Sequence, residues 1–196
     1  MKRMILSGAL LLLGLLALSG CGTYNNMVEQ QEQVNQAWAQ VENVYQRRLD
    51  LIPNLVETVK GYAAHEQEVL IGVTEARAKL GGQVNLDPSM LSDPQQLEQF
   101  QAMQASITSA LQRLMVVVEQ YPELKADRNF LELQAQLEGT ENRIAVERRR
   151  FNEAVQSYNT TIKKFPAMIF AGMFGFSERA YFQGDPAASK APEVKF

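Results

Sequence analysis

The sequence predicts an all-α protein, an elongated antiparallel four-helix bundle whose first helical run is broken or kinked near Pro53. Three observations carry this expectation. Apolar side chains recur every three or four residues along long stretches, which is the period of a helix face. No stretch alternates apolar and polar residues for long enough to mark a half-buried strand. Proline and glycine, which end helices, gather in a few places between the periodic stretches. Of the 196 residues, 46% are hydrophobic and 21% charged, a mixture that supports one packed core.

The chain opens on a segment that reads as an address rather than as part of the fold. Lys2 and Arg3 give a positive start, and residues 4–18 follow with only Ser7, Gly8 and Gly14 not clearly apolar. Leu18-Ser19-Gly20-Cys21 then resembles a bacterial lipobox. The Cys21 thiol is a nucleophile that can take a diacylglycerol through a thioether. Small residues at 19 and 20 let a membrane peptidase bind extended backbone and cut before Cys21. The new amine can then take an acyl chain such as palmitate. One chain holds a protein marginally at a membrane, and two or three hold it firmly. The alternative is an uncleaved anchor, but a spanning helix needs roughly 20 apolar residues. Here the run fades at Gly20, and residues 22–26 are small or polar. In both readings the body faces away from the cytoplasm, on the periplasmic or extracytoplasmic side. Gly22 rather than an Asp after the cysteine favours the outer membrane of a two-membrane bacterium, by resemblance to the lipoprotein sorting rule.

The expected organisation is a signal peptide over residues 1–20, a lipid-anchored linker over 21–26, a helical bundle over 27–176 and an extended tail over 177–196. Removing residues 1–20 leaves 176 residues with 17 basic and 22 acidic side chains, a formal charge of −5. That balance, with the exported location, excludes nucleic acid as a dominant partner. One Cys and one His cannot supply a disulfide or the usual zinc ligands, so no metal or cofactor is expected.

Within the body, Val34, Trp38, Val41, Tyr45 and Ile52 form the first stripe, with Arg48 filling its gap. Ile52, Val56, Val59, Ala63, Leu70 and Val73 form a second series. Pro53 lacks an N–H and costs about 3 kcal/mol inside a helix, whereas in a first turn it costs little. A second helix capped by Asp50, or a sharp kink, is therefore expected there. Gly81-Gly82 and the turn residues around Asp87-Pro88 end this run. Asp93 caps a third helix with Pro94 at its first position, and the stripe runs Leu97, Phe100, Gln104, Ile107, Leu111, Leu114, Val118 and Tyr121. A fourth helix starts near Asp127. Its stripe is Phe130, Leu133, Leu137, Thr140, Ile144, Glu147, Phe151, Ala154, Tyr158, Thr161 and Phe165, until Pro166 ends it. The steps of three and four are those of a coiled-coil seam.

Several ordered words resemble the LemA family. They include Ala37-Trp38-Ala39-Gln40-Val41-Glu42, Arg47-Arg48-Leu49-Asp50-Leu51-Ile52-Pro53-Asn54-Leu55-Val56 and Lys60-Gly61-Tyr62-Ala63-Ala64-His65-Glu66. Later come Asn129-Phe130-Leu131, Thr140-Glu141-Asn142-Arg143-Ile144-Ala145, Arg148-Arg149-Arg150-Phe151-Asn152 and the closing Pro192-Glu193-Val194-Lys195-Phe196. The match covers nearly all of residues 24–196. The resemblance implies a helical bundle on a membrane anchor, with no enzymatic activity to carry over. The lipobox departs from the family's usual plain anchor. The resemblance also implies partnership with another envelope protein, a membrane zinc peptidase among the candidates.

The residues themselves suggest few sites. Trp38 on its stripe reads as a core anchor, and Pro53-Asn54 as a helix junction. His65 and Glu66 point about 100° apart on a helix and do not make an acid–base pair. Arg148, Arg149 and Arg150 read as a solvated face. Glu147 falls where an apolar side chain is expected and should pair with Arg143 or Arg150 at the edge of the core. A polar layer with Thr140 and Thr161 is the other structural reading of Glu147.

The strongest lead is residues 165–176, twelve uncharged residues holding Phe165, Met168, Ile169, Phe170, Met173, Phe174 and Phe176. The segment is too short to span a bilayer. Either it folds back on the bundle or it forms an exposed apolar surface for a partner or membrane. The expected function is thus a non-enzymatic, membrane-tethered scaffold joined to the membrane through lipidated Cys21. The alternative is a membrane-surface binding or remodelling protein acting through residues 165–176. A hydrolase is less favoured, because no spacing assembles an acid, a base and a nucleophile.

Overall fold

The computed structural model describes the backbone of residues 2–80 and 88–184 and the side chains of residues 22–80 and 90–184. The side chains of the expected signal peptide and of Cys21, the turn residues 81–87 and the tail over 185–196 lie outside the described residues. Every regular element among the described residues is helical: α1 (Lys2–Tyr62), α2 (Gln67–Ala78), α3 (Pro94–Val118), α4 (Pro122–Lys125), α5 (Arg128–Lys163) and α6 (Ala167–Phe174). A short 3-10 turn, Pro88–Ser92, leads into α3. Residues 22–26, expected as a linker, continue α1 as helix.

The expected break at Pro53 is absent. α1 passes through Pro53, and the chain turns instead at residues 63–66. Burial on both sides explains the continuity. Leu49, Ile52, Leu55 and Val59 are all buried and need one unbroken stripe to stay so, while Pro53 itself faces solvent. The proline leaves the Leu49 carbonyl without its usual donor four residues on. α2 supplies one: Arg77 Nε donates to the Leu49 carbonyl at 3.1 Å. That contact also shows α2 folding back beside α1. Replacing Arg77 with Met is expected to lower stability by about 1–2 kcal/mol. Adding Pro53→Ala should recover part of the loss, because residue 53 then offers its own N–H to Leu49. Urea unfolding of the two single variants and the double variant checks the coupling.

The turn over 63–66 contains no proline. It is fixed from outside: Ala63 is buried, and the Tyr121 hydroxyl donates to Glu66 at 3.0 Å. His65 is exposed on it.

α3 begins as its sequence dictates. Asp93 accepts the Gln95 N–H at 2.9 Å, with Pro94 in the first turn. Its buried residues are Leu97, Phe100, Gln104, Ile107, Leu111, Leu114, Val117 and Val118. α5 is capped by Asp127, which accepts the Phe130 N–H at 2.9 Å. That hydrogen bond, chiefly, holds the Asp127 carboxyl below its ordinary value of 3.8. A lowered carboxylate contributes stability that is present above the unfolded value and disappears as pH falls through the folded one. Asp127→Asn keeps a capping side chain without the titration. Its stability should therefore fall less steeply than wild type below about pH 4, as read from urea midpoints on a pH series.

The α5 stripe departs from its expected course in the second half. Phe130, Leu137, Thr140, Ile144, Phe151 and Tyr158 are buried, but Val155 and Ile162 take the places expected of Ala154 and Thr161. Phe165, the expected last member, lies beyond the helix and is exposed. A straight helix drifts about 20° per heptad against a strict seven-residue repeat, and over five heptads the buried face moves by one residue. Glu147 is half-buried and pairs with Arg150 at 2.8 Å, the edge position expected of it. Glu147→Leu should leave the helical circular dichroism signal intact and stability unchanged or raised. Unfolding of that variant would reject the edge assignment.

α1 and α5 are the long pair and run in opposite directions. Tyr24 meets Phe174 and Phe176 just past the end of α5, Trp38 meets Phe151, Arg48 meets Glu141, and Tyr62 meets Asp127 at its start. α2 packs on α3. From Tyr24 to Tyr62, α1 extends about 57 Å at 1.5 Å per residue.

Candidate functional site

The candidate surface is built by α6 at the end of the bundle where α1 enters. α6 packs against both α1 and α5. Its buried residues are small, Ala167 and Ala171. Its large residues turn outward. Phe165 is 79% exposed and Met173 69%, and Met168, Ile169 and Phe174 are each more than half exposed. Phe170 and Phe176 are half-buried against the core. The segment therefore does both things the sequence allowed: it folds back through its alanines and displays most of its aromatic and thioether side chains. Gly175, at φ 77°, closes the helix in the left-handed conformation that side-chain-bearing residues avoid. Phe176 N–H then donates to the Ala171 carbonyl at 3.0 Å.

The surface sits beside the entry of the chain. Tyr24 stacks edge-on against Phe174 at 4.9 Å and Phe176 at 5.7 Å between ring centres. Tyr24 is three residues after Cys21 on the same helix, about 4.5 Å along its axis. The Cys21 side chain lies outside the described residues, so its lipidation stands as an expectation.

After Gly175 the chain becomes a strap that runs back along α5 over residues 177–184. Part of the expected tail is therefore built into the body. Two asparagines hold the strap. Asn159 Nδ2 donates to the Arg179 carbonyl at 2.8 Å, and Asn159 Oδ1 accepts the Arg179 N–H at 2.9 Å. Asn152 makes the same pair of bonds with Phe182, both at 2.9 Å. Each amide thus imitates a neighbouring strand. The spacing matches: seven helical residues rise about 10.5 Å, and three extended residues cover about 10 Å. Tyr158 donates to the Ser177 carbonyl at 3.0 Å, and Ala180 N–H donates to the Leu91 carbonyl at 2.7 Å. Burial pushes the Tyr158 phenol above its ordinary value.

The strap ends in the core. Phe182 is buried, stacked on Trp38 at 5.8 Å and edge-on to Phe151 at 5.3 Å. Trp38 is buried, as its stripe position implies. Arg148 is not on a solvated face. It lies 4.8 Å over the Phe182 ring and donates to the Gln183 carbonyl at 2.8 Å. Arg149 and Arg150 are exposed and pair with Glu153 and Glu147.

A second feature lies halfway along the bundle. Arg48 is 2% exposed. Its guanidinium donates to Glu141 at 2.9 Å, to Thr108 at 3.2 Å and to the Gln104 side chain, and it lies 5.1 Å from the Tyr45 ring centre. A polar layer does cross the core, but it is centred on Arg48 rather than on Glu147. Thr140 turns its hydroxyl to the Gln136 carbonyl of its own helix, and Thr161 does the same with Ser157. The layer separates two apolar clusters. One holds Leu49, Leu55, Val73, Leu114 and Phe130, and the other Met27, Trp38, Phe100, Phe151 and Phe182.

At the far end, Tyr62, Glu123, Asp127 and Glu132 line an open depression. Asp127 is engaged as a helix cap and accepts the Tyr62 hydroxyl at 3.0 Å, which raises the Tyr62 phenol. Glu132 accepts from Gln136.

These features define an extended helical body that continues an N-terminal apolar segment and carries an apolar surface beside it. The model of the LemA family matches residues 37–196. The chain belongs to the LemA family. It is similar to magnetosome protein MamQ 2 of Paramagnetospirillum magneticum, at 31% identity over 179 residues covering 84% of this chain and 66% of that protein. Magnetosome protein MamQ of Magnetospirillum gryphiswaldense is 28% identical over the same shares. Protein LemA of Metamycoplasma hominis is 24% identical over 174 residues, covering 89% of this chain and 75% of that protein. The chain spans 66% of the length of the MamQ relatives it matches.

Proposed function

We propose that this chain is a non-enzymatic, membrane-tethered helical scaffold of the bacterial cell envelope, held by lipid on Cys21 and presenting the surface over residues 165–176. One observation carries this reading. α1 continues without a break from Cys21 to Tyr62, so a tether at Cys21 is joined to the body by helix rather than by a loose linker. A tether at Cys21 then places the opposite end of the bundle about 62 Å away along α1. The finer architecture we propose is an antiparallel four-helix bundle of α1, α2, α3 and α5. The opposed run of α1 and α5, the return of α2 along α1 and its packing on α3 support it. The proposed location is the extracytoplasmic face, in the outer membrane where there are two. The proposed partner is another envelope protein, with a membrane peptidase as the first candidate.

Mass analysis of the mature N-terminus tests the tether. A chain beginning at an acylated Cys21 is the expected result, and an intact Met1 with unmodified Cys21 overturns it. Cys21→Ala should leave residues 1–20 uncleaved. Crosslinking in cells followed by mass spectrometry identifies the partner. A second reading, membrane-surface binding or remodelling through residues 165–176, is favoured by the outward turn of the large α6 side chains.

A further inference from the structure

We infer that the exposed face of α6 docks into the same bilayer that tethers the chain, so that the bundle is held at two points rather than one. This inference rests on the tethered reading above and names the occupant of that surface as lipid. Four observations converge on it. First, α6 is built inside out for a soluble helix: alanines face the bundle, Met168, Ile169, Met173 and Phe174 face away, and Phe165 just before it is exposed as well. Apolar side chains presented in this way at a membrane interface bury about 5–10 Å into the boundary of headgroups and acyl chains. Second, the surface stands at the tethered end. Tyr24, which touches Phe174 and Phe176, is three residues from Cys21. At about 4.5 Å along α1, α6 stands no farther from the lipid than the depth of a headgroup layer. A partner protein would have to compete there with a bilayer that is always present.

Third, the charge pattern fits a headgroup boundary. Residues 165–176 carry no charge; Lys163 and Lys164 precede them, Glu178 and Arg179 follow, and Lys163 pairs with Glu178 at 2.7 Å, which leaves Lys164 as the cation offered to the rim. Lys164 is exposed. Cations at the edge of an apolar insertion extend to lipid phosphates while their stems stay in the apolar layer. Fourth, Tyr24 is itself partly exposed between the anchor and α6. An apolar ring with a polar tip favours the water–membrane boundary.

The test uses the full, lipidated protein in vesicles of phosphatidylethanolamine and phosphatidylglycerol, with and without brominated acyl chains. The chain has one tryptophan, Trp38, which is buried. In a Trp38→Phe background, Phe174→Trp and Met173→Trp place reporters on the α6 face, and wild-type Trp38 serves as the control. Circular dichroism and flotation confirm fold and vesicle attachment. The expected result is at least threefold quenching of both reporters by brominated lipid, little quenching of Trp38, and loss of reporter access to acrylamide. If the protein floats with the vesicles but both reporters stay open to acrylamide and unquenched by bromine, the docking is wrong and the tether stands. Reporters that are shielded in native envelopes but open in vesicles would assign the face to a protein partner and also overturn the docking. A lipidated protein that does not float at all refutes the tethered reading itself, and the docking with it.

Discussion

Arg48→Ala is expected to lower the stability of the folded chain by about 3–5 kcal/mol. The guanidinium is buried and holds Glu141, Thr108 and Gln104 from three directions. Truncation leaves a void and withdraws the donor from the buried Gln104 side chain. It also leaves Glu141, whose side chain is 39% exposed, without its cation. The carboxylate can turn to water, but Gln104 cannot. Urea unfolding measures the loss. A second variant separates polarity from volume: Arg48→Met with Gln104→Leu should lie within about 1 kcal/mol of wild type, because replacing a whole buried polar group by apolar residues of similar size is often neutral. If the double variant is as unstable as Arg48→Ala, the network itself holds the helices, and the volume argument fails.

Phe182→Ala is expected to cost about 3–4 kcal/mol and to free the strap. The ring fills the space between Trp38 and Phe151, and no neighbouring side chain is placed to replace it. The two asparagine pairs are not expected to hold the strap without it, since each such hydrogen bond adds only about 0.5–1.5 kcal/mol net. Limited trypsin digestion reads the second effect. Arg179 is tied through its backbone to Asn159 in the folded chain, and cleavage there should speed up in the variant well beyond what the loss of global stability explains. Tyr181→Ala, one residue away but 44% exposed, should change stability by no more than about 0.5 kcal/mol.

Much of the helical frame is legible in the sequence because period and caps agree. Asp93-Pro94 and Asp127 mark helix starts that the structure keeps. The α3 stripe is buried residue for residue through Val118. Two local rules lead astray for the same reason, which is that tertiary contacts outweigh them. Pro53 should end a helix, but Arg77, twenty-four residues on, satisfies the carbonyl that the proline leaves behind. The turn over 63–66 carries no strong breaker and forms because Ala63 is buried and Tyr121 reaches Glu66.

The candidate site is half legible. The composition of residues 165–176 flags an apolar segment, but only packing tells which side chains turn outward: small Ala167 and Ala171 allow close approach to α1 and α5, and the large residues have no room there. The strap is harder to see. Its only sequence signal is Asn152 and Asn159, seven apart on the buried side of a helix where asparagine is otherwise unfavourable. Such a pair asks for an extended partner. Which segment answers cannot be read from spacing alone.

The Arg48 layer gives the bundle a consequence for how it comes apart. With a polar seam between two apolar clusters, opening of one cluster does not expose the other. The far cluster depends on α2 and the return turn, while the near one is closed by the strap and α6. Amide hydrogen exchange should therefore divide α1 and α5 each into two protection classes with the boundary near Arg48 and Glu141. The spine can then fray at the α2 end while the end closed by α6 and the strap keeps its packing.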